Sequence, residues 1–284
     1  MGQHGAHLSY VLITPARNEE QFIEKTIQSM IQQTVLPIKW IIVNDGSTDK
    51  KTNTILKELN DKGVNVVFQE NKGLGEARNT GIRLSKTDYV LPLDADNKVL
   101  PGYMAKAIEV MEKHSDIAIV YGNANFFGEK AGILRPGPFN LQQLMICNYI
   151  DACAVIRKSA IEEIGMYDNM KIMGYEDWDL WLRFAFGGYK FYYLDETLFE
   201  YRVRENSMLK SLNQNIQRQN EIEDYFTKKY ADKLDFEFVI NRLIYQFKKR
   251  PLRFIHYLVV KKFFPNYFQR LIKENKIYKN FIYG

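Results

Sequence analysis

The sequence predicts an α/β protein: a mostly parallel central sheet with flanking helices, plus a helical C-terminal appendage. Three observations carry this. Short apolar runs, read as strands, alternate at short intervals with segments whose apolar residues recur at helical spacing. Those strands are apolar throughout, as strands covered on both faces must be. The charge also divides the chain. Val239 to Gly284 holds eleven Lys/Arg and one acid, Glu274, whereas the remainder holds 28 basic and 33 acidic residues.

Leu8–Thr14 is the first predicted strand, ended by Pro15. Glu19–Gln33 places Phe22, Ile23, Ile27, Met30 and Ile31 at helical spacing. Ile38–Asn44 is the second strand, closed by Asp45-Gly46-Ser47, with Ser47 or Thr48 as cap of the following helix. Val64–Phe68, Tyr89–Leu93 and Ile117–Tyr121 are further strands, separated by helices over Gly73–Leu84 and Pro101–His114. Beyond residue 122 the alternation weakens. Phe126–Asn140, rich in Gly and Pro, reads as a loop. Leu141–Asn148, Ser159–Ile164, Asp177–Phe186 and Asn213–Phe226 read as helices, and Ala152–Arg157 and Tyr189–Leu194 as strands. The expected domains are 1–212, in two halves over about 8–122 and about 123–212, and an extension over 213–284.

The chain has 284 residues, 46% hydrophobic and 26% charged, in keeping with a soluble globular protein. Cys147 and Cys153 are too few for a disulfide framework and match no zinc spacing, so they read as reduced thiols of a cytoplasmic protein. The first residues carry no signal-peptide pattern, and no run of apolar residues is long enough to span a membrane.

The fourth strand ends in Leu93-Asp94-Ala95-Asp96. If the strand continues to its end, the two carboxylates share a face. Paired oxygens of this kind suit Mg²⁺ or Mn²⁺ together with phosphate oxygens; the alternative is a solvated acidic turn. Ligands of parallel sheets bind at the carboxyl ends of the strands. Asp45 and the Asp94/Asp96 pair lie at two such ends, so their convergence is a geometric expectation.

Five segments, in order, resemble the motifs of the GT-A glycosyltransferases of family 2. They are Thr14–Glu20, Val43–Asp49, Asn71–Gly81, Leu93–Asp96 and Gly174–Arg183, and the likeness extends over about residues 8–207. Two departures stand out. Arg17 occupies a place where Tyr or Phe is usual, and Arg204, in Tyr201-Arg202-Val203-Arg204, stands where many members carry His. The Gln-x-x-Arg-Trp motif of processive synthases is absent after Arg183, which disfavours chain polymerisation.

The resemblance implies a metal-dependent, inverting transfer of one sugar from a nucleotide-diphosphate sugar, UDP-sugar favoured. The acceptor would be a saccharide or lipid-linked molecule of cell-surface polysaccharide or glycolipid synthesis. It implies that Pro15, Ala16 and Glu19 line the base and ribose, that Arg17 stacks on the base or faces solvent, and that Asp45 accepts a hydrogen bond from the base. For Glu19 and Asp45 the alternatives are a first-turn helix acid and a turn cap. Arg78 and Arg204 would contact the diphosphate, Arg78 alternatively forming a surface salt bridge. Asp94, Ala95 and Asp96 form the donor motif, with Asp96 and Asp94 on the Mn²⁺ or Mg²⁺. Asp177 would be the general base, with Glu176 beside it raising the proton affinity of one of the pair; an ordinary N-cap is the alternative. Asp151 could touch donor sugar or acceptor. Trp178 and Trp181 read as core, and Asp179 with Arg183 as a helix-face pair.

The tail from 239 to 284 interleaves its basic residues with eleven aromatics. That suits an anionic membrane surface, consistent with lipid-linked acceptors, or packing on the catalytic domain or in a homo-oligomer. Nucleic acid is disfavoured, since no recognised motif accompanies the basic residues. A nucleotidyltransferase and a non-catalytic nucleotide-sugar-binding module are the rival functions. The first lacks a glycine-rich basic loop after strand one.

Overall fold

A computed structural model describes residues 10–18, 22–23, 25–26, 29, 39–170, 174–204, 216–233, 244, 247–248 and 251–273. Contacts gather into two compact units, Met1–Phe139 with Ile150–Arg204, and Asn140–Tyr149 with Glu205–Gly284. The strands of the first unit form one sheet.

β1 (Tyr10–Ala16), β2 (Lys39–Asp45), β3 (Asn65–Gln69) and β4 (Tyr89–Pro92) are the apolar runs of the sequence. They pair in parallel in the order β3-β2-β1-β4. Parallel pairing requires crossovers, which α1 (Lys50–Asp61) and α2 (Leu74–Leu84) help to supply. The cap of α1 is Asp49, whose Oδ1 accepts from Thr52 N at 2.6 Å, rather than Ser47 or Thr48. The Ser47 and Thr48 backbones are held elsewhere: their amides donate to the Asn44 and Asn18 side chains.

Beyond β4 the sheet becomes mixed. β5 (Lys98–Val99), β6 (Ile117–Gly128), β7 (Gly132–Leu134), β8 (Val155–Arg157) and β9 (Lys190–Val203) complete the order β3-β2-β1-β4-β8-β6-β9-β5, with β7 on β6. β8 lies between β4 and β6, antiparallel to both, so the predicted fifth strand does not continue the parallel series directly. β6 and β9 pair in parallel along almost their whole lengths. The expected loop over Phe126–Asn140 is corrected in part: Phe126–Gly128 ends β6, and Gly132–Leu134 turns back on it as β7. Gly128, at φ 95°, supplies the left-handed backbone that lets the strand turn there.

Both faces of the sheet are covered. α3 (Tyr103–Lys113) brings Tyr103, Met104, Ala107, Ile108 and Met111 against Tyr10, Leu12 and Leu91. Each such fully buried aliphatic or aromatic side chain stabilises the fold by roughly 1.5–3 kcal/mol. On the same face, Leu56 of α1 packs with Ile42, Val66 and Ala95. α2 lies on the opposite face, pressed against Ile13. A Cβ at Gly81 would meet Ile13 Cγ2 at 2.4 Å, so only glycine allows this approach. α4 (Leu141–Ile146) belongs to the second unit, and α5 (Lys158–Glu163) follows β8.

α6 (Glu176–Phe186) buries Trp178, Trp181 and Phe184, with Trp181 Nε1 donating to Ile150 O at 3.0 Å. The tryptophans are core, as their spacing predicts. Asp179 and Arg183 do pair, at 2.9 Å, but the carboxylate is fully buried and Arg183 also holds the carbonyls of Ile164 and Met166. The pair therefore braces the turn after α5 instead of lying on an exposed helix face.

In the second unit, α7 spans Ile216–Lys229, α8 Pro251–Phe263 and α9 Pro265–Lys273. Both cysteines are free thiols. Among the described residues, no helix is long and apolar enough to cross a membrane.

Candidate active site

The site is built at the carboxyl ends of β1, β2 and β4. β1 delivers Pro15 and Ala16, both buried in the sheet, and then Arg17, which is exposed. Glu19 lies outside the described residues. Asn18 sits at φ 56° and knits two strand ends together. Its Oδ1 accepts from the amides of Thr48 and Asp49 at 3.0 Å each, and its own amide donates to Ser47 Oγ.

Asp45, at the end of β2, is buried and fully engaged. Its Oδ1 accepts from Gln69 Nε2 and Lys72 N, each at 2.8 Å, and its Oδ2 from Gly73 N at 2.9 Å. The Asn71 amide, turned with its nitrogen toward Asp45, donates to Oδ2 at 2.9 Å while its oxygen accepts from Arg17 Nη2 at 3.1 Å. Four donors fill the acceptor positions of one carboxylate. Gly46, at φ 67°, leaves room for this loop: a Cβ there would lie 2.6 Å from Asn71 N. Asp45 thus fastens residues 69–73 to the end of β2 and sets the start of α2.

α2 carries Arg78 into the centre. The side chain is buried, and Nη2 lies 2.7 Å from Asp94 Oδ1. Its guanidinium carbon is 5.3 Å from the centroid of the Tyr167 ring. The salt bridge named as the alternative to a diphosphate contact does form, but with the guanidinium buried instead of at the surface. Burial opposes the charge of Arg78, but Asp94, Tyr167, Glu176 and Asp177 outweigh it and hold the proton more firmly than usual.

Asp94 and Asp96 do not share a strand face. β4 stops at Pro92, and residues 94–97 form a turn closed by Asn97 N donating to Asp94 O at 3.1 Å. The premise of strand alternation fails because the chain turns directly after Leu93, whose amide makes a last bond to Ile13 O at 2.9 Å. The acids remain electrostatic neighbours all the same. Burial, then Asp94, pushes the Asp96 carboxyl up to about 6, against the opposing pull of Arg204 and Arg202. Ala95 is buried in the core beside Ala16 and Ile42, and its carbonyl accepts from Thr26 Oγ1 at 2.8 Å.

β9 brings two arginines to this turn. Arg204 Nη2 lies 2.9 Å from Asp96 Oδ2. Arg202 donates from Nε to Asp96 O at 3.1 Å and from its amide to Asn97 Oδ1 at 2.9 Å. Its guanidinium carbon sits 4.3 Å from the ring centroids of both Phe22 and Phe127. Both acids of the Asp94-Ala95-Asp96 stretch therefore face an arginine. Arg204 is turned toward a carboxylate where the motif comparison had it on phosphate.

α6 supplies Glu176 and Asp177 in its first turn, where the helix N-terminus favours negative charge. Tyr175 holds the N-cap position and makes no side-chain cap bond, so Asp177 is not a cap. Asp177 is half-buried, and its Oδ1 accepts from Trp178 N at 2.9 Å. Glu176 lies against the start of α2; a Cβ at Gly75 would be 3.4 Å from its Cγ. Its Oε2 accepts from Gly174 N at 2.8 Å. Burial raises its proton affinity, Arg78 and the Gly174 amide oppose, and Asp94 adds to the rise.

Asp151, just before β8, belongs to the same cluster. Its Oδ1 accepts from Cys153 N at 2.8 Å. Burial, then Asp94, moves its carboxyl up to about 7, with Asp177 adding to the rise. Among the described residues, Arg78 Nε, Tyr167 Oη and Glu176 Oε1 are buried atoms with no hydrogen-bond partner. An orphaned guanidinium nitrogen with two further orphans beside it marks a place arranged for a further polar group. Asn18, Gln69, Asn71, Tyr167 and Arg202 also belong to this network, and sequence reasoning did not assign them roles. The signal for Arg202 was present: it lies two residues from Arg204, and so reaches the same side of a strand.

Among the described residues no group of three or more His, Cys, Asp or Glu is placed to hold a metal by itself. The donor set nevertheless fits a hard divalent ion that arrives with a diphosphate. Such ions are commonly held by one or two carboxylates plus substrate phosphate oxygens.

Acids and arginines gathered at the carboxyl edge of an α/β sheet are, in this chain, the site of a glycosyltransferase-class fold. The chain belongs to glycosyl transferase family 2, whose sequence pattern matches residues 11–165. It is 28% identical over 213 residues to the uncharacterised glycosyltransferase MJ1057 of Methanocaldococcus jannaschii, covering 72% of this chain and 73% of that protein. It is 27% identical over 217 residues to the chondroitin synthase of Escherichia coli, covering 72% of this chain but only 30% of the synthase. Among solved structures, S. aureus TarS 1–349 in complex with UDP-GlcNAc superposes with a TM-score of 0.58 at 17% identity, covering 72% of this chain and 61% of that one. That likeness establishes the GT-A-type fold. Family membership does not favour the nucleotidyltransferase alternative.

Proposed function

We propose that this protein transfers a single sugar from a nucleoside-diphosphate sugar, UDP-linked by preference, to a saccharide or lipid-linked acceptor, inverting the anomeric centre. Synthesis of a cell-surface polysaccharide or glycolipid is its setting. The observation that carries this reading is the convergence of Asp94, Asp151, Glu176 and Asp177 on Arg78, with Asp96 beside Asp94 and paired to Arg204, and with Arg78 Nε, Tyr167 Oη and Glu176 Oε1 buried and unpartnered. The UDP-GlcNAc complex of TarS supports a uridine diphosphate donor.

In this reading Asp177 accepts the proton of the attacking hydroxyl. It is the more open of the two acids at the start of α6, with Glu176 behind it against α2. Arg78 faces the diphosphate, where its fixed charge stabilises the departing nucleotide. A divalent Mg²⁺ or Mn²⁺ held by Asp96 and Asp94 together with the diphosphate would neutralise further leaving-group charge. Arg204 would then exchange Asp96 for a phosphate oxygen, so that the arginine keeps an anionic partner. Asp45, already saturated, positions the loop before α2, and a nucleobase reaches it only by displacing Gln69 or Asn71.

A thermal-shift screen of UDP, TDP and GDP with Mn²⁺ and Mg²⁺, followed by nucleotide release from the matching sugar donors, tests the reading. A uridine-selective shift with metal-stimulated release of UDP is expected. No shift with any nucleotide diphosphate would overturn it.

A further inference from the structure

α8 is apolar on two sides. Phe254 and Val260, with Tyr257 between them, turn inward and pack on Phe268 and Leu271 of α9; the Tyr257 and Phe268 rings meet at 5.3 Å. These contacts use one side of the helix. On the other side Leu252, Ile255, Val259 and Phe263 form a second stripe at spacings of three, four and four residues, which an α-helix aligns along one line. All four are exposed, Leu252 at 83% and Phe263 at 66%. Phe264, in the link between the helices, and Tyr267 of α9 are also exposed. An outward apolar strip of this length is unusual on a protein surface and marks a contact surface.

The surrounding charge is of one sign. Residues 251–273 contain Arg253, Lys261, Lys262, Arg270 and Lys273, with no Asp or Glu. Lys261, Lys262 and Arg270 are exposed; Lys262 Nζ lies 5.9 Å from the Phe263 ring centroid, while Lys261 Nζ donates to Tyr257 Oη at the flank of the helix. A second copy of this chain would bring five like charges against five, which opposes self-association. Nucleic acid would satisfy the lysines but leave Leu252, Ile255 and Val259 uncovered. An anionic bilayer satisfies both: aliphatic side chains enter the acyl boundary, Phe263, Phe264 and Tyr267 lie at headgroup depth, and the cations meet the lipid phosphates.

We infer that the outer face of α8, together with Phe264 and Tyr267, is a docking surface for an anionic lipid bilayer, with the helix lying in the interface plane. This rests on the second unit alone and is independent of the transferase chemistry. The test is co-sedimentation of the full chain with vesicles of phosphatidylcholine and of phosphatidylcholine containing phosphatidylglycerol. Binding to the anionic vesicles, weakened by salt, is expected. Ile255→Ser/Val259→Ser/Phe263→Ser should lower that binding on the order of tenfold or more. Lys261→Gln/Lys262→Gln should lower it roughly tenfold and leave binding to neutral vesicles unchanged. The inference is overturned if the wild-type chain stays in the supernatant or the triple variant pellets equally. It is also overturned if light scattering shows a dimer that the triple variant dissociates, or if circular dichroism shows that the triple variant loses helix.

Discussion

Arg204 and Asp96, 108 positions apart, form an ion pair of 2.9 Å between the end of β9 and the turn after β4. The carboxylate proposed to meet a metal already holds an internal cation, so metal and arginine compete for it. Arg204→Met should raise the Mn²⁺ affinity of the nucleotide-free protein about tenfold, and lower UDP affinity by a similar factor, the usual worth of a charged hydrogen bond. Electron paramagnetic resonance of Mn²⁺ and calorimetry with UDP read the two effects. An unchanged Mn²⁺ affinity would show that the pair does not guard the site.

Asp177→Asn should leave UDP affinity nearly unchanged and reduce turnover by roughly 10²-fold or more, because the substitution keeps the volume and removes the base. A variant with full turnover would strip Asp177 of its role. Glu176→Gln, by contrast, alters a side chain packed against α2 and should change KM as well.

Removing Arg78 breaks a buried pair. Arg78→Met should cost about 3 kcal/mol, the lower end of the range for such a loss because Asp94 retains some solvent. Chemical denaturation measures this, and calorimetry should show UDP binding weakened in parallel.

Asp45 invites a sharper experiment. Asp45→Ala frees Gln69, Asn71 and the amides of Lys72 and Gly73 together, and should destabilise the protein on the order of 3–5 kcal/mol. If Asp45 positions the loop, affinity falls by the same factor for UDP and for ribose 5-diphosphate, which has no base. A loss confined to UDP, with stability kept, would make it a base contact after all.

Asp151 gives a pH signature. Its carboxyl, near 7 in the folded protein through burial and Asp94, titrates near 4 when unfolded. Between those values the native state binds the extra proton, so this residue makes stability fall as pH rises through the window. Asp151→Asn should remove that fall, gaining on the order of 4 kcal/mol at pH 8 and little at pH 4. Thermal melts in chelator across pH 4–8 would show it; parallel curves for the two proteins would refute it.

The parallel part of the fold was legible because β1, β2 and β4 are unbroken apolar runs that no surface segment would carry. The second half was not. β9 runs through Asp195-Glu196-Thr197, whose polarity hides a strand continuing to Val203, and the β6–β7 hairpin is built from Gly and Pro-rich sequence that reads as loop. Site residue types were visible wherever a carboxylate followed a strand. Their pairings were not, because Arg204 with Asp96 and Asn71 with Asp45 depend on distant segments meeting in space. The motif comparison set Arg204 against a ligand; in the folded chain an acid from the same polypeptide reaches it first.

Gly81 contributes no functional group, yet its contact with Ile13 fixes the depth at which α2 rests on the sheet. Arg78 stands one turn earlier on that helix. A single added methyl at 81 would lift the rod and carry the guanidinium away from Asp94, so the reach of the cation is governed by an atom that the sequence omits. Enzymes of this design can thus be detuned from underneath the sheet, at a position no substrate ever touches.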